Sequence, residues 1–126
     1  AKIIETVAEM RRQGIFIVPG TDLGGSFTYH RELELYQDVG MSPAEVLKMA
    51  TYDMAEYLGQ ANELGSIEVG KLADFFLIPQ DPTADLKAIK KISMVMKDGA
   101  IYFPSEIYEE FGIQPFIDAP ELKYPD

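Results

Sequence analysis

Residues 15–25 read IFIVPGTDLGG and contain the pattern on which the fold prediction depends. The run Ile15–Val18 is β-branched and aromatic with no polar alternation, which is typical of a strand buried on both faces of a parallel sheet. Pro19 and Gly20 end this run, so Asp22 is expected at or just beyond the carboxyl end of the strand. Because α/β barrels place their catalytic groups there, Asp22 is a candidate catalytic residue. Considered alone, an aspartate in this position is also typical of a turn or a helix cap.

Helices are predicted on both sides of this strand. Apolar residues at helical spacing predict a first helix over Lys2–Arg12 and a second over Arg31–Val39. A third is predicted from Ser42, since Pro43 fits the first helical position and Glu45 completes a capping box. The apolar stripe of this third helix consists of Val46, Leu47, Ala50, Met54 and Leu58, and Gly59 follows it.

The pattern changes from helix-rich to strand-rich after residue 59. Phe75–Ile78 is predicted to be another buried strand. The Asp98-Gly99 pair, between two short apolar runs, predicts a tight β-hairpin. A short helix is predicted over Ser105–Phe111, followed by a loosely ordered acidic and proline-rich end.

Composition restricts the chemistry that this chain can perform. The 126 residues carry 21 acidic and 11 basic side chains, a net charge of -10, which disfavours nucleic acid and anionic membrane surfaces as partners. We therefore predict that the protein binds neither. A cytoplasmic protein is predicted because no apolar run has the length of a membrane helix and residues 1–14 are a charged amphipathic stretch rather than a signal peptide. The chain has no cysteine and a single histidine, His30, so a self-contained zinc site is not expected. Serine-histidine catalysis also lacks the G-x-S-x-G turn that presents the nucleophile.

Several short motifs, in this order and spacing, resemble the C-terminal part of the amidohydrolase superfamily, near its imidazolonepropionase-like and prolidase-like members. They cover roughly residues 15–103. They are Gly20-Thr21-Asp22, His30 with Glu32-Leu33, Gly40-Met41-Ser42-Pro43 with Glu45 and Leu47, Ala50-Thr51, Ala55 with Leu58-Gly59, Leu64-Gly65-Ser66-Ile67, Gly70-Lys71-Leu72-Ala73-Asp74, and Lys97-Asp98-Gly99.

The resemblance implies an α/β fold: the last strand and helices of a (β/α)8 TIM barrel, followed by the C-terminal part of a composite β-sandwich domain. Ile15–Asp22 would be the eighth barrel strand. The implied domains are residues 1–59 for the end of the hydrolase barrel, 60–104 for the sandwich, and 105–126 for the acidic tail.

The resemblance also implies a function, the hydrolysis of a carbon–nitrogen bond by metal-activated water. The bond would belong to a non-backbone amide, a cyclic amide or a dipeptide, so the implied partner is a small amide or peptide-like substrate. Asp22 would be both a ligand of the divalent metal, zinc being the expected one, and the group that exchanges protons with the bound water. The loop bearing His30 would lie near the pocket, where the imidazole contacts substrate; a solvated or helix-capping role is the alternative.

The family's paired histidines of strand one, the bridging lysine and the later histidines have no counterpart here. A barrel needs about 250 residues, so we expect a truncated chain that is inactive alone, with no metal bound in isolation. Exposed apolar surface would then favour a homo-oligomer. Two alternatives remain open: a non-catalytic folding or interaction module that self-associates, and a barrel completed by another polypeptide.

Overall fold

The structure is a computed structural model that describes residues 2–123. It has five α-helices, one π-helical segment, one 3-10 helix and three strands in that described range. In chain order they are α1 (Lys2–Arg12), α2 (Ser26–Asp38), α3 (Pro43–Lys48), the π-helical segment Met49–Asp53, α4 (Met54–Tyr57), β1 (Phe75–Leu77), the 3-10 helix Leu86–Lys90, β2 (Met94–Lys97), β3 (Ala100–Tyr102) and α5 (Pro104–Glu110). None of the helices in this part of the chain combines the length and the apolar character needed to cross a bilayer.

The helix predicted from Ser42 is confirmed, together with its cap. The Ser42 hydroxyl accepts the Glu45 backbone N–H at 3.3 Å, and the Glu45 carboxylate accepts the Ser42 N–H at 2.8 Å. Two otherwise unpaired backbone donors are satisfied in this way. The helix continues through the π-helical segment Met49–Asp53 into α4, and Gly59 follows with φ 70°. The helix over Lys2–Arg12 is also confirmed.

The hydrophobic core lies where α2, α3, the π-helical segment and the 3-10 helix meet. Its fully buried residues come from both sides of residue 60, so helices of the first half pack directly on a segment of the second half. The division into domains at residues 59 and 104 stays a prediction. The buried members are Leu33, Val46, Met49, Leu86 and Ile89.

The three strands form one antiparallel sheet in the order β1-β2-β3. The predicted hairpin is confirmed, with Lys97 paired to Ala100 across the turn. Asp98 and Gly99 have φ 50° and 75°, the positive values that a two-residue type I′ turn requires. The Asp74 carboxylate supports the turn by accepting the Asp98 N–H at 2.9 Å and pairing with Lys97.

The buried strand predicted at Ile15–Val18 is wrong: no strand forms there, and Phe16 is 56% exposed. A strand needs a neighbour for its backbone groups, and all three strands in residues 2–123 pair only with one another, in the sheet β1-β2-β3. The burial predicted for Phe75–Ile78 is also wrong, since Phe76 and Leu77 are exposed on an edge strand of three residues.

The second helix begins five residues before the predicted Arg31, at Ser26. The start was missed because Phe27, Thr28 and Tyr29 are aromatic or β-branched residues that are common in strands. The short helix predicted over Ser105–Phe111 is confirmed as α5. The prediction for the tail extends to residues 124–126, which lie outside the described range.

Candidate functional site

Asp22 lies on the loop between α1 and α2 with an exposed side chain. Its φ of 52° is left-handed, a conformation that aspartate tolerates better than most residues. The Thr21 hydroxyl donates to the Leu23 carbonyl at 2.7 Å and accepts the Leu23 N–H at 3.1 Å. These two hydrogen bonds close a tight turn around Asp22, so the loop presents the carboxylate to solvent.

Helix α2 holds this loop at both of its ends. The Glu32 carboxylate accepts the Gly20 N–H at 2.8 Å, before the turn. The Thr28 hydroxyl donates to the Gly25 carbonyl at 2.8 Å, after it. The position of α2 therefore sets the position of Asp22.

Glu32 is itself held by a neighbour on the same helix. The Tyr36 hydroxyl donates to the Glu32 carboxylate at 3.0 Å. Burial, followed by this hydrogen bond and the Glu32 charge, raises the pKa of Tyr36 to about 12. The phenol thus remains a hydrogen-bond donor throughout the neutral range.

A surface cavity of about 520 Å³ lies beside the loop. It combines apolar side chains with hydroxyl, guanidinium and carboxylate groups, so it offers an apolar wall and polar edges to a small molecule. The lining residues are Gly20, Thr21, Leu23, Phe27, Thr28, Arg31, Glu32 and Leu35.

His30 lies on α2 and not on a loop, and it is only 9% exposed, so both the predicted loop position and the solvated alternative are wrong. Its Nδ1 atom is buried and has no hydrogen-bond partner among the described residues. Burial lowers the pKa of His30, the positive charge of Lys90 lowers it further, and Glu34 opposes them. The imidazole is therefore neutral at pH 7.

Asp22 and His30 do not share a cavity. His30 lines a separate space of about 230 Å³ between α2, the third helix and the sheet, together with residues such as Leu47 and Phe76. The lining of that space includes neither Asp22 nor its loop. A substrate contact by His30 stays a prediction that this geometry does not favour.

A resident metal does not fit the described residues by themselves. Among residues 2–123, no group of three or more His, Cys, Asp or Glu side chains is placed to hold an ion. Asp22 can donate one carboxylate, and the single histidine lines the other cavity. A metal site that uses Asp22 would need ligands from outside this range.

Sequence comparison identifies the family. The sequence model of the amidohydrolase family matches residues 1–102, so the chain belongs to that family. An imidazolonepropionase of Brevibacillus brevis is 42% identical over 66 residues, which are 50% of this chain and 16% of that protein. The superfamily resemblance is thereby confirmed.

Two solved structures share the fold. A Xaa-Pro dipeptidase with bound methionine aligns with a TM-score of 0.75 at 31% identity, over 80% of this chain and 25% of that one. A putative prolidase from Bifidobacterium longum aligns with a TM-score of 0.71 at 38% identity, over 79% of this chain and 26% of that one. The chain therefore spans about a quarter or less of the length of these relatives.

Three residues around the loop were not singled out as functional from the sequence: Phe27, Thr28 and Glu32. Glu32 was part of a matched motif, but nothing in that motif says which backbone group its carboxylate binds. Phe27 and Thr28 lie before Arg31, where the second helix was predicted to begin, and so were not assigned to that helix. Their roles depend on how α2 packs beside the loop, which is a tertiary property.

Proposed function

We propose that this chain is the C-terminal portion of a metal-dependent hydrolase that cleaves carbon–nitrogen bonds in small molecules, either a non-backbone amide, a cyclic amide or a dipeptide. Asp22 contributes one carboxylate to the metal site, which zinc is expected to occupy. The other ligands come from residues outside the described range. The isolated chain is inactive, because it supplies too few ligands.

The observation that carries this proposal is the geometry of the Asp22 loop. The carboxylate is exposed on a turn whose two ends are tied to one helix, beside a cavity of about 520 Å³. A group held in this way is positioned before a ligand arrives, which is what a metal or catalytic carboxylate requires. The kinship with an imidazolonepropionase and a dipeptidase supports a small amide or peptide-like substrate.

Native mass spectrometry of the chain equilibrated with zinc tests the role of Asp22. We expect zinc only in assemblies that bring further ligands to Asp22, and we expect the Asp22→Asn variant to lose it. Asp118→Asn, an exposed carboxylate in the C-terminal tail, is the matched control and should keep the metal. Zinc retained equally by Asp22→Asn, or no zinc in an assembly that contains the further ligands, would contradict the proposal; the chain by itself is expected to bind none.

The same pair of variants tests catalysis in an assembly that hydrolyses its substrate. Asp22→Asn should lower kcat/KM by roughly 100-fold or more, the usual loss when a group that transfers protons is removed. Asp118→Asn should leave kcat/KM unchanged. An active Asp22→Asn enzyme would exclude Asp22 from the reaction.

A second candidate function is a non-catalytic module that self-associates, and the observation that favours it is an exposed apolar patch. The rings of Phe16 and Tyr57 stack with centroids 6.5 Å apart, and both remain more than half exposed. Their chain neighbours Ile15 and Leu58 are exposed as well. We define these four residues as the apolar patch; contiguous apolar surface of this kind favours association.

A further inference from the structure

Three aromatic rings form a cluster between α2 and the C-terminal segment. Phe27, Tyr108 and Phe116 are in mutual contact, and each pair of ring centroids is 6.1 Å apart. One pair is stacked, one tilted and one edge-to-face, and such arrangements contribute beyond the apolar area that they bury. The cluster attaches the segment that begins with α5 to the first turn of α2.

Two of these rings lie outside the part of the chain that the family match explains. The match ends at residue 102, whereas Tyr108 and Phe116 come from the segment after it. Phe27 lies within the match, in the part that also contains Asp22. The cluster therefore joins a segment beyond the family match to the part of the chain that contains Asp22.

Phe27 connects the cluster to the candidate site, because it also lines the cavity beside the Asp22 loop. It is one residue before Thr28, whose hydroxyl binds the end of that loop. One turn and a little further along α2, Glu32 binds the beginning of the loop. A ring that restrains the first turn of α2 thus restrains both attachments.

We propose that the C-terminal segment positions the Asp22 loop, with Tyr108 and Phe116 acting through Phe27. They are positioning residues, since neither ring lines the cavity beside the Asp22 loop. Tyr108 and Phe116 also contact Phe27, which lines the cavity. The segment thereby sets the width of the cavity at Phe27, where the apolar part of a substrate would bind. The catalytic consequence rests on the proposed function of Asp22, whereas the mechanical coupling does not.

Hydrogen exchange of the full chain tests the coupling. The reporters are the Gly20 and Leu23 amides, which hydrogen-bond to Glu32 and Thr21 at the two sides of Asp22. In Phe116→Ala, which removes two ring contacts, both amides should exchange about fivefold faster or more. The amides of β2 and β3 should be unchanged, because the hairpin is not held by the cluster.

Two further variants complete the design. Phe111→Ala removes a ring from the same segment that is 76% exposed and outside the cluster, so it should leave the reporters unchanged. Phe116→Tyr keeps the ring and should restore wild-type protection. Unchanged reporters in Phe116→Ala, or an equal rise in the hairpin amides, would overturn the proposal. The readout involves neither metal nor activity, so a failure of the zinc experiment would leave it intact.

Discussion

At the scale of single residues, His30 and Asp22 show how position on the fold decides the role of a polar side chain. His30 faces the interior of a helical layer, where burial and Lys90 both oppose its protonation. Asp22 lies on a loop and keeps its carboxylate in solvent. A buried neutral imidazole contributes to the pH dependence of stability, whereas an exposed carboxylate is available to an external ligand.

His30 makes a specific prediction about pH. Its pKa in the folded chain lies below the ordinary value of 6.5, so below that pH the unfolded chain binds the proton more readily than the folded one. The contribution of His30 to the free energy of unfolding should therefore be fully present above pH 6.5. It should be lost as the pH is lowered towards the folded-state pKa. In His30→Gln this fall between pH 7 and pH 5 should be smaller, as measured by urea denaturation.

The pH dependence between pH 5 and pH 7 can be assigned to His30, because it is the only histidine in the chain. Gln37→Asn, on an exposed position of the same helix, keeps the imidazole and should show the wild-type pH dependence. If the free energy of unfolding changed with pH identically in wild type and His30→Gln, the histidine would not be buried in its neutral form.

At the scale of elements, the chain depends on glycines for two different reasons. Gly70 has φ 94° with open space around it, so only backbone conformation requires glycine there. Gly65 has φ 89°, and a Cβ would lie 2.7 Å from the Ala55 Cβ and 3.0 Å from the Tyr52 Cα. The turn at Gly65 therefore packs directly against the π-helical segment and α4, and only a glycine fits between them.

Substitution of these two glycines separates the two effects. Gly70→Ala should lower the free energy of unfolding by about 1 kcal/mol, because alanine is strained at positive φ. Gly65→Ala should lower it by about 1–3 kcal/mol more, because the new methyl group also overlaps the helix. Urea denaturation of both variants measures the difference. Equal losses would mean that the turn moves away from the helix without cost.

At the scale of the whole molecule, the helical core and the sheet leave a large apolar surface uncovered. The apolar patch defined by Ile15, Phe16, Tyr57 and Leu58 includes the first two residues of the segment that was predicted to be a buried strand. Covering these side chains with another element would remove their apolar surface from water, which favours association. The homo-oligomer expected from the sequence stays a prediction, and this patch is its candidate surface.

Replacing one ring of the patch tests that surface. Phe16→Ser should weaken self-association by roughly tenfold or more, since a buried phenylalanine contributes about 1.5–3 kcal/mol. Val69→Ser, at a fully exposed valine outside the patch, is the control and should associate like wild type. Sedimentation velocity over a concentration series measures both. A monomeric wild-type chain at all concentrations would exclude self-association, and an unaltered Phe16→Ser oligomer would exclude this surface.

The sequence alone determined the elements whose signals are local. The capping box of Ser42 and Glu45, the type I′ turn at Asp98-Gly99 and the short α5 all depend on residues within a few positions of one another. Such features do not depend on tertiary packing, because their hydrogen bonds join residues that are close in the sequence. The Pro-Gly break also predicted that Asp22 follows the end of the Ile15–Val18 run, although the strand expected there does not form.

Tertiary structure alone decided the features that need a distant partner. Residues 15–18 have a strand-like composition but no neighbouring strand in the described range, so their backbone cannot enter a sheet. The burial of His30, the bond from Glu32 to Gly20 and the ring cluster at Phe27 bring together residues that are far apart in the sequence or on different elements. Composition and periodicity cannot specify these contacts, because which surfaces meet is determined by the packing of whole elements and not by any local pattern.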